Sequence, residues 1–248
     1  MLVVHSERYA RQASLPQVGW SGQKRLADAF VVLVGCGALG TVSAELLTRA
    51  GIGHLRLVDN DHVQWPNLVG QTLFDDEDAQ AARPKVQAAA HKLRRINPTI
   101  TIEPVLARLN TRNAKRFLAG VDLVLDGTDN DAARYVINET CVKLHIPWIF
   151  AAVLENCGLM MNIVPGVTPC FACVFSRPSR RSGKKNCKGG LASVTHVVAS
   201  LQVGQAYRLL LGDDGYSRGL VYVDAWEPSL EKVQIADRRE GCPTCGGQ

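Results

Sequence analysis

The chain has 248 residues, 46% of them hydrophobic and 21% charged, and its mean hydropathy is close to zero. That supplies one sizeable core and excludes general disorder. No apolar run reaches the ~18–20 residues of a bilayer span, and the N-terminus lacks a signal-peptide pattern. The net charge of +5 comes without a basic stripe interleaved with aromatics, so a cytoplasmic protein with no membrane or nucleic-acid partner is expected.

Residues 6–29 read as a polar helical arm. The β-branched run FVVLV at 30–34 reads as a buried strand, followed at once by Gly35-Cys36-Gly37-Ala38-Leu39-Gly40. A helix over 41–50 stops at Gly51, and a second strand over 54–58 ends at Asp59. Helices over 85–97, 111–119 and 132–144 then alternate with strands over 100–106, 121–126 and 148–153. This alternation predicts an α/β fold, a Rossmann-like doubly wound and mostly parallel sheet. Beyond about residue 150, strand-like segments at 159–164, 220–224 and 232–235 flank a loop at 177–190 and a long helix at 191–211. They read as an antiparallel extension of the same sheet, so 1–248 is one domain.

The pattern Gly-x-Gly-x-x-Gly, between a strand and a helix, suits a nucleotide phosphate. Glycines permit a tight turn and close approach, and the helix N-terminus offers free N–H groups and a positive dipole end. Asp59, about 24 residues on, can accept a hydrogen bond from a ribose hydroxyl. By itself the loop suits NAD and hydride transfer as well as ATP, or a plain glycine turn. Other residues bear on the choice. Asp61 follows Asp59 by two positions, and in an extended stretch the two would point the same way. Lys85 opens a helix after Pro84, either as a solvated lysine or as a cation near phosphate. Asp129, in Thr128-Asp129-Asn130, lies just past a strand, at the edge where open α/β sheets bind ligands. It is either a turn residue or a carboxylate for Mg²⁺. His196 on the long helix reads as core.

Eight cysteines in a cytosolic chain point to metal or catalysis more than to disulfides. Cys170-x-x-Cys173 and Cys242-x-x-Cys245 form either a closed Cys₄ site for structural Zn²⁺ or two redox dithiols. Cys187 sits among Lys184, Lys185 and Lys188, just before the long helix. It is either a thiolate nucleophile or an incidental cysteine. The surrounding RPSRRSGKKNCK, residues 177–188, is either a solvated loop or a landing site for an acidic partner or phosphate. Cys36, Cys141 and Cys157 read as packed thiols.

Arg8-Tyr9-Ala10-Arg11-Gln12, the glycine loop, Asp59-x-Asp61, Asn67-Leu68 with Gln71, Pro84-Lys85, Ile96-Asn97-Pro98 and Thr128-Asp129-Asn130 together resemble the ThiF/MoeB/HesA family in order and spacing. These are bacterial relatives of ubiquitin-activating enzymes. The resemblance runs from about Arg8 to Gly247. It implies adenylation, with MgATP, of the C-terminal glycine of a small ubiquitin-like sulfur carrier protein ending Gly-Gly, in thiamin, molybdopterin or related biosynthesis. It implies a nucleotide-binding half over 30–150 and a carrier-binding, zinc-bearing half over 151–248. Asp59 would bind ribose, Lys85 and Arg11 the phosphates, and Asp129 the Mg²⁺. Arg11 would reach in from a second subunit of a homodimer, and Cys187 would take part in sulfur chemistry after adenylation. The sulfur donor, such as a cysteine desulfurase or a rhodanese, would be a separate protein. One departure stands out: Gly70 replaces the family's usual arginine in Asn67-Leu68-Val69-Gly70-Gln71. It leaves open a substitute cation, a slow or specialised enzyme, or a non-catalytic relative. A different carboxylate substrate, such as a ribosomal peptide, is also left open.

Overall fold

The computed structural model describes residues 2–175, 190–235 and 237–246, with side chains from Glu7 onward. Within them the chain runs α1 (Leu2–Ala13), α2 (Gly19–Asp28), β1 (Phe30–Val34), α3 (Ala38–Ala50), β2 (His54–Asp59), a 3₁₀ turn (Trp65–Asn67), α4 (Asp76–Gln80), α5 (Lys85–Ile96), β3 (Thr101–Leu106), α6 (Ala114–Leu118), β4 (Leu123–Asp126) and α7 (Asp131–Leu144). The second half holds β5 (Trp148–Leu154), β6 (Cys157–Ile163), α8 (Phe171–Val174), α9 (Ala192–Leu211), β7 (Leu220–Asp224) and β8 (Ser229–Val233). The strands form one sheet in the order β3-β2-β1-β4-β5-β6-β7-β8. It is parallel from β3 through β5 and antiparallel from β5 to β8, the expected doubly wound sheet with its extension. Among the described residues no helix is long and apolar enough to cross a membrane.

The period of two along β1 assigns its side chains to two cores. Val31 and Leu33 join Leu26, Leu47, Leu57 and Leu93 under α2, α3 and α5. Val32 and Val34 join Leu118, Ile137, Trp148 and Phe171 under α6, α7 and α8. α9 lies against α3 and the β4–β6 strands, and it closes the first face.

The sequence expectations hold for element type and shift at the ends, for local reasons. α3 begins at Ala38 instead of residue 41, because Gly37 is already its N-cap and Thr41 N–H donates to the Gly37 carbonyl. α6 shortens because Asn110 and Asn113 tie residues 108–113 into a turn. β6 begins at Cys157, since a two-residue turn with Glu155 at φ 55° pairs Leu154 with Cys157. β8 lies at Ser229–Val233 instead of 232–235. Asp224 accepts from the Trp226 and Glu227 N–H groups and tightens the hairpin, setting Asp224 opposite Ser229.

The N-terminal arm is two helices, docked at the C-terminal end of α3. Gln12 and Gln23 donate to the Ala50 carbonyl at 3.1 and 2.9 Å. The buried Asn97 amide donates to Tyr9 Oη and to the Thr48 carbonyl, both at 2.8 Å. Gly51 caps α3 in the left-handed region (φ 82°), and a methyl group on it would lie 2.5 Å from the Tyr9 ring. Gly51→Ala is therefore expected to combine a left-handed backbone cost of ~1–2 kcal/mol with displacement of Tyr9, lowering the melting temperature by about 2–8 °C. A calorimetric melt tests this, and an unchanged transition would mean that the arm is not seated on Tyr9.

Candidate nucleotide site and four-cysteine cluster

β1 and β4 are neighbours, yet their following helices α3 and α7 pack on opposite faces. A crevice at the carboxyl edge results, the usual ligand position in open α/β sheets. Backbones meet tightly beneath it. Gly35 (φ 91°) donates to the Val58 carbonyl, and Gly127 N–H donates to Val34. A methyl group on Gly35 would lie 2.5 Å from the Gly127 carbonyl oxygen, and one on Gly40 would overlap the Gly35 carbonyl. Only glycine fits at these contacts. No side chain caps the first turn of α3, so its free N–H groups face the crevice.

Asp59 ends β2 and holds the loop. One carboxylate oxygen accepts from Cys36 N–H at 2.6 Å and the other from Asp61 N–H at 2.7 Å. That second bond ties the Asp61 backbone to the Asp59 carboxylate just past the end of β2. The Asp61 carboxylate lies 3.5 Å from Lys85 Nζ, while Lys85 N–H donates to the Asp61 carbonyl. Lys85 is 6% exposed, so it is not a solvated surface lysine. Asp61 is its one ion-pair partner among the described residues. Burial pushes the Cys36 thiol up, with Asp59 adding to the effect. The thiol therefore stays neutral.

The segment between Asp61 and Lys85 crosses beside the loop. Asn67 accepts from Gln64 N–H at 2.9 Å and caps the 3₁₀ turn, a structural role beyond the one expected of it. Gln71 Oε1 is buried without a hydrogen-bond partner. A methyl group on Gly70 would lie 3.7 Å from Ala38 Cβ and 3.9 Å from Ala192 Cβ, both ordinary contacts. Packing therefore leaves room for a side chain beside the glycine loop.

Past β4, Thr128 donates from N–H and Oγ1 to Asp126, at 2.8 and 2.6 Å, and Asn130 caps α7 by accepting from Ala133 N–H. Asp129 is exposed, with the Asn130 amide at 3.3 Å and no cation paired with it among the described residues. That suits a site for an added cation. Sequence reading missed Asp126 and Arg134, a buried pair at 3.0 Å. Burial pushes the Asp126 carboxyl up, while Arg134 and the two Thr128 donors oppose that push. The available signal was a carboxylate ending a strand with an arginine one turn into the next helix.

Arg11 does not join these residues. It is exposed on α1, and the arm docks at Ala50 and Gly51, one α3 length (~18 Å) from the glycine loop. Cys187 and the basic run 177–188 lie outside the described residues.

Cys170, Cys173, Cys242 and Cys245 converge, each sulfur within 4.8 Å of the others. Neighbouring sulfurs lie 3.8, 3.7 and 3.4 Å apart. A tetrahedron of thiolates at about 2.3 Å from zinc has edges of about 3.8 Å, so the donors fit such an ion. They form one set instead of two separate dithiols. Asn138 on α7 donates to Cys170 Sγ at 3.6 Å and accepts from Phe171 N–H, orienting the first knuckle. Two minor expectations fail. Cys157 is half-buried and bonded to Tyr222 Oη at 2.9 Å. His196 is half-buried on α9, with Nδ1 2.7 Å from the Ala192 carbonyl.

Residues 9–244 match the ThiF family. The chain is 34% identical over 240 residues to the sulfur carrier protein ThiS adenylyltransferase of Bacillus subtilis (strain 168), covering 96% of this chain and 71% of that one. It is 36% identical over 243 residues to the protein of the same name from Escherichia coli (strain K12), covering 97% and 95%. To the adenylyltransferase and sulfurtransferase MOCS3 of Sus scrofa it is 37% identical over 242 residues, covering 96% of this chain but 53%, about half, of the relative. Its fold is similar to that of E. coli MccB crystallised with ATP, with TM-score 0.81 at 22% identity, over 96% of this chain and 74% of that one.

Proposed function

Because the chain belongs to the ThiF family, we propose that it uses MgATP to adenylate the C-terminal glycine of a small ubiquitin-like sulfur carrier protein. The near full-length similarity to sulfur carrier adenylyltransferases carries this reading. The carrier carboxylate attacks the α-phosphorus, the bond to the bridging oxygen of the β-phosphate breaks, and pyrophosphate leaves with the electron pair. The N–H groups of the first turn of α3 and the buried Lys85 ammonium hold the phosphate charge. Asp59 keeps acceptor capacity for the ribose, and Gln71 offers its free acceptor. Asp129 would hold the magnesium ion, which would supply positive charge for the phosphates.

Arg11 lies too far from its own loop, so the reading places Arg11 of the partner subunit at the phosphates in a homodimer. The exposed Trp65 and Val69, beside the site, offer apolar surface for that partner. Cys187 is the proposed sulfur-side nucleophile, with a cysteine desulfurase or rhodanese as donor. The four cysteines would hold a structural zinc with no open position.

Pyrophosphate–ATP exchange should depend on a Gly-Gly-ended carrier and fall about 10²–10³-fold in Asp129→Ala. Carrier-independent exchange, or an unaffected variant, would sink the reading. Restoring a cation with Gly70→Arg should raise exchange, since the position has room; no gain would show that Lys85 and Arg11 suffice. Metal analysis should find one zinc per chain, lost in Cys242→Ser with a lowered melting temperature. A zinc-free wild type of equal stability would exclude the structural role.

A further inference from the structure

The β4–β5 ladder is short: it pairs Val124 with Trp148 and Leu125 with Ile149, and then the strands part. Two buried side chains span the gap from opposite faces. Gln202 on α9 donates to the Asp126 and Ile149 carbonyls at 2.9 and 3.0 Å, while its own oxygen accepts from Ser43. Arg134 on α7 donates to Asp126 at 3.0 Å, Asp131 at 3.1 Å, the Thr128 carbonyl at 2.8 Å and the Ala151 carbonyl at 3.4 Å. Its guanidinium also lies over the Phe150 ring, 5.1 Å from the centroid.

We propose that Arg134, anchored by Asp126, is a positioning residue that fixes the Asp129 carboxylate for the cation of the bound nucleotide; this rests on the MgATP reading above. The geometry is direct. Arg134 holds the carbonyl of the Thr128–Asp129 peptide, Asp126 holds the N–H and hydroxyl of Thr128, and Asn130 is pinned as the α7 cap. Asp129 thus sits between the held Thr128 carbonyl and the Asn130 cap of α7, with its carboxylate left exposed and free of cations among the described residues. Stability does not account for the pair, since buried ion pairs are often no better than apolar replacements. Its bonds go to the backbone that presents Asp129.

The test is titration calorimetry of the full chain with a non-hydrolysable ATP analogue, with and without Mg²⁺, beside a thermal melt. Arg134→Met should lose about 10–100-fold of the magnesium-dependent gain in affinity while magnesium-free affinity is unchanged. Arg134→Lys keeps a cation against Asp126 but replaces the planar fork, which reaches Asp126 and the Thr128 carbonyl from separate nitrogens, with one compact ammonium; it should lose about tenfold. A full magnesium gain in Arg134→Lys, a parallel fall of both affinities, or a wild type without any gain overturns the proposal. An intact gain without carrier-dependent exchange would instead defeat the adenylation reading alone.

Discussion

The contact on which the site depends is the meeting of backbone with backbone at Gly35, Gly40 and Gly127. Because no Cβ intervenes, the turn after β1, the first turn of α3 and the turn after β4 share one small volume. Side chains from both faces of the sheet can therefore serve one crevice. Asp59 and Lys85 arrive from the β2 side, and Asp129 arrives from β4. A wider separation of β1 and β4 would put these groups out of reach of a single triphosphate.

Charge in the crevice is arranged by depth. Lys85 is buried against a carboxylate that is itself exposed, which leaves its positive potential directed outward. Asp126 is sunk and compensated, whereas Asp129 is shallow and uncompensated among the described residues. Two acids three residues apart thus differ in state: Asp126 is buried against Arg134, and Asp129 is exposed without a paired cation among the described residues.

The strand–glycine–helix unit was legible because β-branched runs, glycines and α3 follow local rules that tertiary packing did not override. The two cysteine pairs are legible from spacing, but only the fold shows that they meet as one set. The bond from Asp61 N–H to the Asp59 carboxylate and the contact of Asp61 with Lys85 depend on the approach of the segment before α5, which local spacing does not announce. Gln202 is invisible in the sequence for a similar reason. Its amide donates to backbone carbonyls at two strands, and no spacing within a helix announces those. α4 and the 3₁₀ turn were missed because five- and three-residue elements held by capping boxes carry no periodicity.

The cysteine cluster joins positions 72 residues apart, Cys170 to Cys242 and Cys173 to Cys245. During synthesis the first knuckle, and the aromatic pocket of Phe150, Phe171 and Phe175 around it, emerges long before its partner. The nucleotide crevice is by then already encoded in full. A chain cut before Cys242 therefore carries Asp59, Lys85, Asp126 and Asp129 without the second knuckle that meets Cys170 and Cys173.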